Sequence, residues 1–166
     1  MRIRSVTVDD VDLTLHYISK LQEENLETLY RWNPLPTRAE QQQLLERYCD
    51  DQGTAYALVD ADDDFVGMLS GTRHPRTPLA HSCSFAVSVL AAYRGLGYGT
   101  KLIHEFDVWA CRYRLMRIEL DVFGNNPKAL KLYKRLGYTV EGVRREAINI
   151  GNHYHDLIHM AKFLDR

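Results

Sequence analysis

Long apolar runs are missing from this sequence. A helix that crosses a bilayer needs about 20 consecutive apolar residues, and no stretch approaches that, so no membrane partner is expected. The opening Met1-Arg2-Ile3-Arg4-Ser5 also lacks the apolar core of a secretory leader. Cysteine is scarce: Cys49, Cys83 and Cys111 are odd in number and far apart. Such spacing builds neither a disulfide framework nor a zinc clip, and a reducing, cytoplasmic setting fits it best. Neither sign of charge is in excess. Lys plus Arg is 21 against 22 for Asp plus Glu, a net charge of -1, which offers nucleic acid no bulk field to follow. Internal repeats and low-complexity tracts are absent as well.

What is present is an ordinary globular composition, 45% hydrophobic and 26% charged over 166 residues. That suffices for one core without covalent staples, so residues 1–166 are expected to form a single domain. Arg2 to Val8 alternates around Ile3, Val6 and Val8 and predicts a strand. Asp9, Asp10 and Asp12 suit the positive end of a helix dipole, and Val11, Leu15, Ile18 and Leu21 continue at helical spacing. Asn33-Pro34-Leu35-Pro36 stops that element. Thr37 with Glu40 forms a capping box for a second helix, with Leu44, Leu45 and Tyr48 on its apolar side.

From Thr54 the period changes to two. Ala55, Ala57 and Val59 alternate, Asp60 to Asp64 turns, and Phe65 to Ser70 returns as the second arm of a hairpin. The aspartate run is read as a solvated turn rather than a cation site. Ser82 to Leu90 is strand-like. Gly95 to Gly99 precedes a helix carrying Leu102, Ile103, Phe106, Trp109, Ala110 and Tyr113 on one side. A strand with Ile118, Leu120 and Val122 on one face follows. Asn126-Pro127 opens another helix, which Gly137 closes. Two strands, Tyr138 to Arg145 and Tyr154 to Phe163, end the chain. The order β-α-α-β-β-β-α-β-α-β-β predicts an α+β fold with a mixed, mostly antiparallel sheet. Its unit from Ser82 to Phe123 should be parallel and right-handed.

The chemistry-bearing segment is Val87-Ser88-Val89-Leu90-Ala91-Ala92-Tyr93-Arg94-Gly95-Leu96-Gly97-Tyr98-Gly99-Thr100. A strand here enters a glycine-rich turn and then a helix. Glycines let backbone approach a ligand closely, and the free N–H groups of a helix start attract a phosphate. The lysine of a P-loop is absent, and the spacing fits a dinucleotide fingerprint poorly.

The pattern that does fit is Arg-x-x-Gly-x-Gly, at Arg94, Gly97 and Gly99. In this the sequence resembles the GNAT N-acetyltransferases. The likeness continues through Arg117-Ile118-Glu119-Leu120-Asp121-Val122, Asn125-Asn126-Pro127-Lys128-Ala129-Leu130-Lys131-Leu132-Tyr133, Leu136-Gly137-Tyr138 and Glu141-Gly142, so about half of the chain carries it. The resemblance implies a sheet of about seven strands with about four helices, two strands splaying apart to admit acetyl-CoA as co-substrate.

It further implies roles. Backbone groups of Val87 and Val89 would pair with the pantetheine arm, while Arg94, Gly95, Leu96, Gly97, Tyr98, Gly99 and Thr100 wrap the pyrophosphate. Asn126 would hydrogen-bond the arm, and Tyr133 would protonate the departing thiolate; the same residues also suit plain helix capping and core packing. Lys131, Lys134 or Arg135 would meet the CoA phosphates. Many relatives carry a glutamate on the strand before the glycine motif, where this chain has His81, Ser82, Cys83 and Ser84. His81 is therefore taken as the proton acceptor, with Glu119, Asp121 and Asp156 as rivals. Cys83 reads as a small buried hydrophobe rather than a nucleophile.

The acceptor cleft implied by the family brings in Glu23, Glu24, Tyr30, Trp32, Tyr154 and Asp156. Carboxylates with aromatics there would suit a cationic amine. The final segment Gly151-Asn152-His153-Tyr154-His155-Asp156 looks like that of bacterial members acting on amino acids, other small amines or protein N-termini. His153, His155 and His159 share a strand face, but no flanking ligand completes a metal spacing, so no metal is expected. A small-molecule amine acceptor is therefore the expectation. A protein N-terminus, an antibiotic amine, and a catalytically silent acyl-CoA-binding module remain alternatives. The sequence leaves homodimer formation open.

Overall fold

The computed structural model describes residues 1–24, 34–50 and 52–164. Seven strands are hydrogen-bonded in the order β1-β2-β3-β4-β5-β7-β6. They are β1 (Arg2–Ser5), β2 (Gly53–Val59), β3 (Phe65–Arg73), β4 (Ser82–Val89), β5 (Arg117–Phe123), β6 (Thr139–Ile150) and β7 (His153–Phe163). The helices are α1 (Val11–Glu23), α2 (Arg38–Cys49), α3 (Tyr98–Arg112) and α4 (Pro127–Arg135). Element order and sheet class agree with the expectation, and β4–β5 is the parallel pair among antiparallel neighbours.

Local chemistry explains most boundaries. Thr37 Oγ1 accepts the Glu40 N–H, while the Glu40 carboxylate accepts the Thr37 N–H at 2.8 Å, which starts α2 as a capping box. Pro127 occupies the first turn of α4, where its missing N–H is harmless, and Gly137 turns the chain out with φ 90°. β1 is shorter than its alternation suggested. It stops at Ser5 because Asp10 folds back beneath it, accepting Arg4 at 2.7 and 2.8 Å and the Thr7 N–H at 2.8 Å. The Arg4 guanidinium holds that carboxyl below its usual range. The C-terminal hairpin is longer than predicted, with Asn152 turning at φ 67° between its arms.

Two cores lie on the two faces of the sheet. On one face, α3 contributes Leu102, Ile103, Phe106, Trp109 and Ala110, and α4 adds Tyr133, all packed with Leu69, Cys83, Phe85, Ile118, Leu120 and Val122. Tyr113, expected on the same stripe, is half-exposed and leans on the Trp109 ring instead. The fit is close at Gly71. A Cβ there would stand 2.3 Å from Phe106 Cε2 and 2.7 Å from the Ser84 carbonyl oxygen, so only glycine lets α3 lie this near the strands. On the other face, α1 and α2 close Val11, Tyr17, Leu21 and Leu45 over Ala55, Ala57, Val59 and Phe65. Here α1 turns Thr14 and Tyr17 inward and leaves Leu15 half-exposed.

Candidate active site

The site starts where the sheet comes apart. β4 and β5 pair only at Ser82–Arg117, Cys83–Ile118 and Ser84–Glu119. Beyond Ser84 the β5 side of β4 has no strand partner among the described residues, although β3 follows β4 as far as Gly67–Val89. Val87 and Val89 turn their side chains into the α3–α4 core. The same segment therefore presents backbone toward the gap, as an added extended strand requires. The Val89 carbonyl is already taken, accepting Arg94 Nε at 2.7 Å.

At the end of β4 the chain makes a 3₁₀ turn and enters α3. Gly95 and Gly97 have φ of 77° and 83°, conformations that favour glycine, and a Cβ at Gly95, Gly97 or Gly99 would meet no protein atom within 4 Å. The space before these residues is open. The first helical hydrogen bond of α3 is the Lys101 N–H to the Gly97 carbonyl at 3.2 Å. The N–H groups of Tyr98, Gly99 and Thr100 precede it and have no intrahelical acceptor. They form an anion cradle at the positive end of a 15-residue helix. Leu96 is exposed at its rim. The residues present fit a diphosphate in chemistry and in free space.

Arg94 is oriented differently from the expectation. Its guanidinium pairs with the Glu24 carboxylate, whose other oxygen accepts the Ala91 N–H at 2.6 Å. Glu24, expected to bind the acceptor, instead straps the end of α1 to the glycine turn. Each carboxylate oxygen of Glu24 thus has a partner within the protein.

Tyr133 lies on the inner face of α4, with its ring edge-on to Phe85 and Tyr138 at centroid distances of 6.2 and 5.7 Å. Burial pushes its phenol up to about 12. The hydroxyl therefore stays protonated through the neutral range, as a general acid must. Asn126 caps α4, its Oδ1 accepting the Ala129 N–H at 3.0 Å, which leaves its amide N–H groups available as donors. Lys131, Lys134 and Arg135 are exposed on the outer side of α4.

His81 is not at the opening. It precedes β4 and is exposed, six residues before Val87, or about 20 Å along an extended strand. Its expected proton-acceptor role does not fit that place. Cys83 is 2% exposed, and burial pushes its thiol up to about 12, so the thiolate that nucleophilic attack needs is suppressed. Tyr154 is exposed on β7 opposite Asn149, beyond the end of β5. Asp156 fastens an irregularity in β6, accepting the Glu146 N–H at 2.9 Å where Glu146 adopts φ 49°. Tyr30 and Trp32 lie outside the described residues.

The structure adds two features to what the sequence showed residue by residue. The first is a polar cluster on the face of β5–β7–β6 turned away from α3 and α4. Arg117 Nε donates to Glu119 at 2.7 Å and its NH1 to Glu141 at 2.8 Å, while His159 Nδ1 stands 2.8 Å from Asp121 and Nε2 3.6 Å from Glu119. The alternation of Arg117, Glu119 and Asp121 against Ile118, Leu120 and Val122 was the available signal. Glu119 is the cross-strand partner of Ser84 at the last rung before the opening. The second feature is Gln41, buried under α2 at 1% exposure. Its spacing of four and seven residues from Leu45 and Tyr48 put it on the inner stripe.

With that geometry in place, comparison with known proteins is informative. The family model described as acetyltransferase (GNAT) family matches residues 17–138. An L-amino acid N-acetyltransferase, AaaT, of Escherichia coli (strain K12) is 31% identical over 121 residues, covering 70% of this chain and 73% of the relative. The spermidine N(1)-acetyltransferase of Escherichia coli (strain K12) is 24% identical over 152 residues, covering 90% and 80%. Among solved structures, an acetyltransferase of GNAT family from Streptococcus pneumoniae superposes with a TM-score of 0.89 at 22% identity, over 98% of this chain and 99% of that one.

Proposed function

Because the chain belongs to the GNAT family, and so is an acetyl-CoA-dependent N-acetyltransferase, we propose that its acceptor is the primary amine of a small molecule of the α-amino acid class. The observation that carries this reading is the strand opening beyond Ser84 and Glu119, continuous with the glycine cradle at the start of α3. The 31% likeness to an L-amino acid N-acetyltransferase supports the acceptor class.

In this reading the N–H groups from Gly95 to Thr100 hold the pyrophosphate. The free edge of β4 around Val87 takes the pantetheine arm as an extra strand, and the Asn126 amide donates to it. The α3–α4 side of the gap is filled by Tyr133, Phe85 and Phe106, so the amine arrives from the opposite face. Its lone pair attacks the thioester carbonyl carbon. A backbone N–H near Val87 stabilises the resulting oxyanion. The C–S bond then breaks and Tyr133 passes its proton to the thiolate.

The amine's own proton goes, through water, to the Glu119–His159 pair, with Asp121 fixing the imidazole. His159 faces Asp121 and Glu119 from β5 and Glu141 from β6, and Arg117 pairs with both glutamates. This cluster stands one strand across from the position where many relatives carry their glutamate. The test is thiol release from acetyl-CoA across amino acids, polyamines, aminoglycosides and peptides. Amino acids should give the highest kcat/KM; a panel in which polyamines or peptides lead would overturn the acceptor assignment.

A further inference from the structure

A cavity of about 80 Å³ lies between α1, α2 and the β3–β4 strands, lined among others by Ile18, Leu21, Leu44, Met68, Ala86 and Ser88. Ala86 and Ser88 belong to the stretch of β4 that β5 leaves unpaired, and they project from it on the face opposite Val87 and Val89. The cavity is thus one strand thickness from the backbone edge on which the acetyl arm is proposed to lie, on the side from which the amine arrives. Sites that enclose a drug-sized ligand run to about 300 Å³ and more, so this volume suits a short side chain.

The lining is selective in kind. Among the described residues that line it none carries a formal charge: Tyr17, Gln41, Tyr48, Ser70 and Ser88 provide its polar groups. A cationic or anionic side chain would be desolvated there without a counter-charge. Tyr17 and Ser88 already satisfy each other, their hydroxyls 2.8 Å apart. Gln41 does not share in this. Its side chain is buried, it borders the cavity, and Oε1 has no hydrogen-bond partner among the described residues. A buried carbonyl left without a donor is unfavourable in every state that leaves it so, and a ligand N–H or O–H relieves it.

We propose that this cavity is the acceptor's side-chain subsite, and that it takes an uncharged side chain bearing a hydrogen-bond donor, an amide or a hydroxyl, received by Gln41 Oε1. The inference rests on the α-amino acid reading above and narrows it. The pairs L-asparagine and L-leucine, L-glutamine and L-methionine, and L-threonine and L-valine are matched closely in size and differ in the donor. The wild-type enzyme should favour the donor member of each pair by about 10- to 100-fold in kcat/KM, the range of one buried hydrogen bond. Gln41→Met, similar in volume, should bring those ratios near one by lowering kcat/KM of the donor members more than that of the apolar members, with the KM for acetyl-CoA unchanged. Equal loss for both members of a pair would mean that Gln41 only packs α2 or holds a trapped water, and would overturn the proposal.

A binding measurement separates this inference from its premise. Propionamide and 2-butanone have nearly the same shape, and only the amide donates. Titrated into the folded protein, propionamide should shift the Met68 methyl resonance, 2-butanone should not, and Gln41→Met should abolish the difference. Turnover of polyamines with no amino acid acetylated would defeat the acceptor reading. Failure of propionamide to bind, or equal binding of 2-butanone, would overturn the cavity assignment whatever the panel shows.

Discussion

In the proposed reading the two faces of the sheet handle recognition in different ways. On the α3–α4 face the recognising groups are backbone: free N–H groups at Tyr98, Gly99 and Thr100 and the unpaired edge of β4. The side chains around them serve mainly to pack, with ring contacts linking Phe85, Phe106, Tyr133 and Tyr138. On the opposite face the groups proposed to recognise the acceptor are side chains: Gln41, Glu119, Asp121 and His159. A ligand held by backbone can be kept by many sequences provided the glycines remain, because the donors are common to every residue. A ligand held by side chains changes with each substitution. One scaffold can therefore keep one coenzyme while its acceptor varies, and the difference between the faces can be tested from either side.

The largest expected effect is at the one side chain of the α3–α4 face that is proposed to do chemistry. Tyr133→Phe keeps the ring contacts and removes only the proton. We expect kcat to fall by about 10³-fold with the KM for acetyl-CoA unchanged; unchanged turnover across pH would remove the acid role. The same variant has a stability signature. The Tyr133 phenol, at about 12, is raised above the ordinary value of 10.0. Its contribution to stability is full below pH 10 and lost as pH rises through 12, so the phenylalanine variant should lose less stability in alkali.

Next comes a purely structural break of that face. Gly71→Ala pushes a methyl against the Phe106 ring and the Ser84 carbonyl. Ring and strand cannot both retreat, and the cost is about 3 kcal/mol. Thermal unfolding should shift down by about 10 °C. A shift within 2 °C would mean that α3 is free to lift from the sheet. In contrast, Gly99→Ala meets nothing within 4 Å and Gly99 lacks the positive φ of Gly95 and Gly97. Stability should hold or rise slightly, since alanine suits a helix, while the affinity for acetyl-CoA falls about 100-fold, or about 2.7 kcal/mol. Equal affinities by calorimetry would remove the cradle from the case.

What could be read from the sequence follows the same division. The glycine turn, the Thr37 and Asn126 caps and the alternation of β5 are local signals, each set within a few residues, and they brought out the element order and the coenzyme side. The proposed proton acceptor is not local. The cluster joins Glu119 of β5, Glu141 of β6 and His159 of β7 through sheet register, and register between non-adjacent segments has no signature in either one. His81 stands in the stretch where many relatives carry a glutamate, and strand geometry sets it before the start of β4, away from the opening. Glu24 was drawn toward the acceptor by its charge. Its pairing with Arg94 crosses 70 residues and appears only when α1 and the glycine turn meet. Gln41 sat on a readable helical stripe, but an amide among leucines was not counted as part of it.

The smallest effect probes the side-chain face directly. If His159 and Glu119 share the amine's proton, His159→Gln leaves the carboxylate alone to accept it. The rate at neutral pH should fall only about 10-fold, because Glu119 keeps its place beside Ser84 at the last rung of the β4–β5 ladder. Glu119→Gln should cost a similar factor, and the two changes together far more than the product of the single losses, because no acceptor is then left. A histidine that merely ties Asp121 to the sheet would reduce stability and leave the double variant no slower than Glu119→Gln, so the coupling between the two changes, rather than the loss of rate in either, decides whether this face carries the proton.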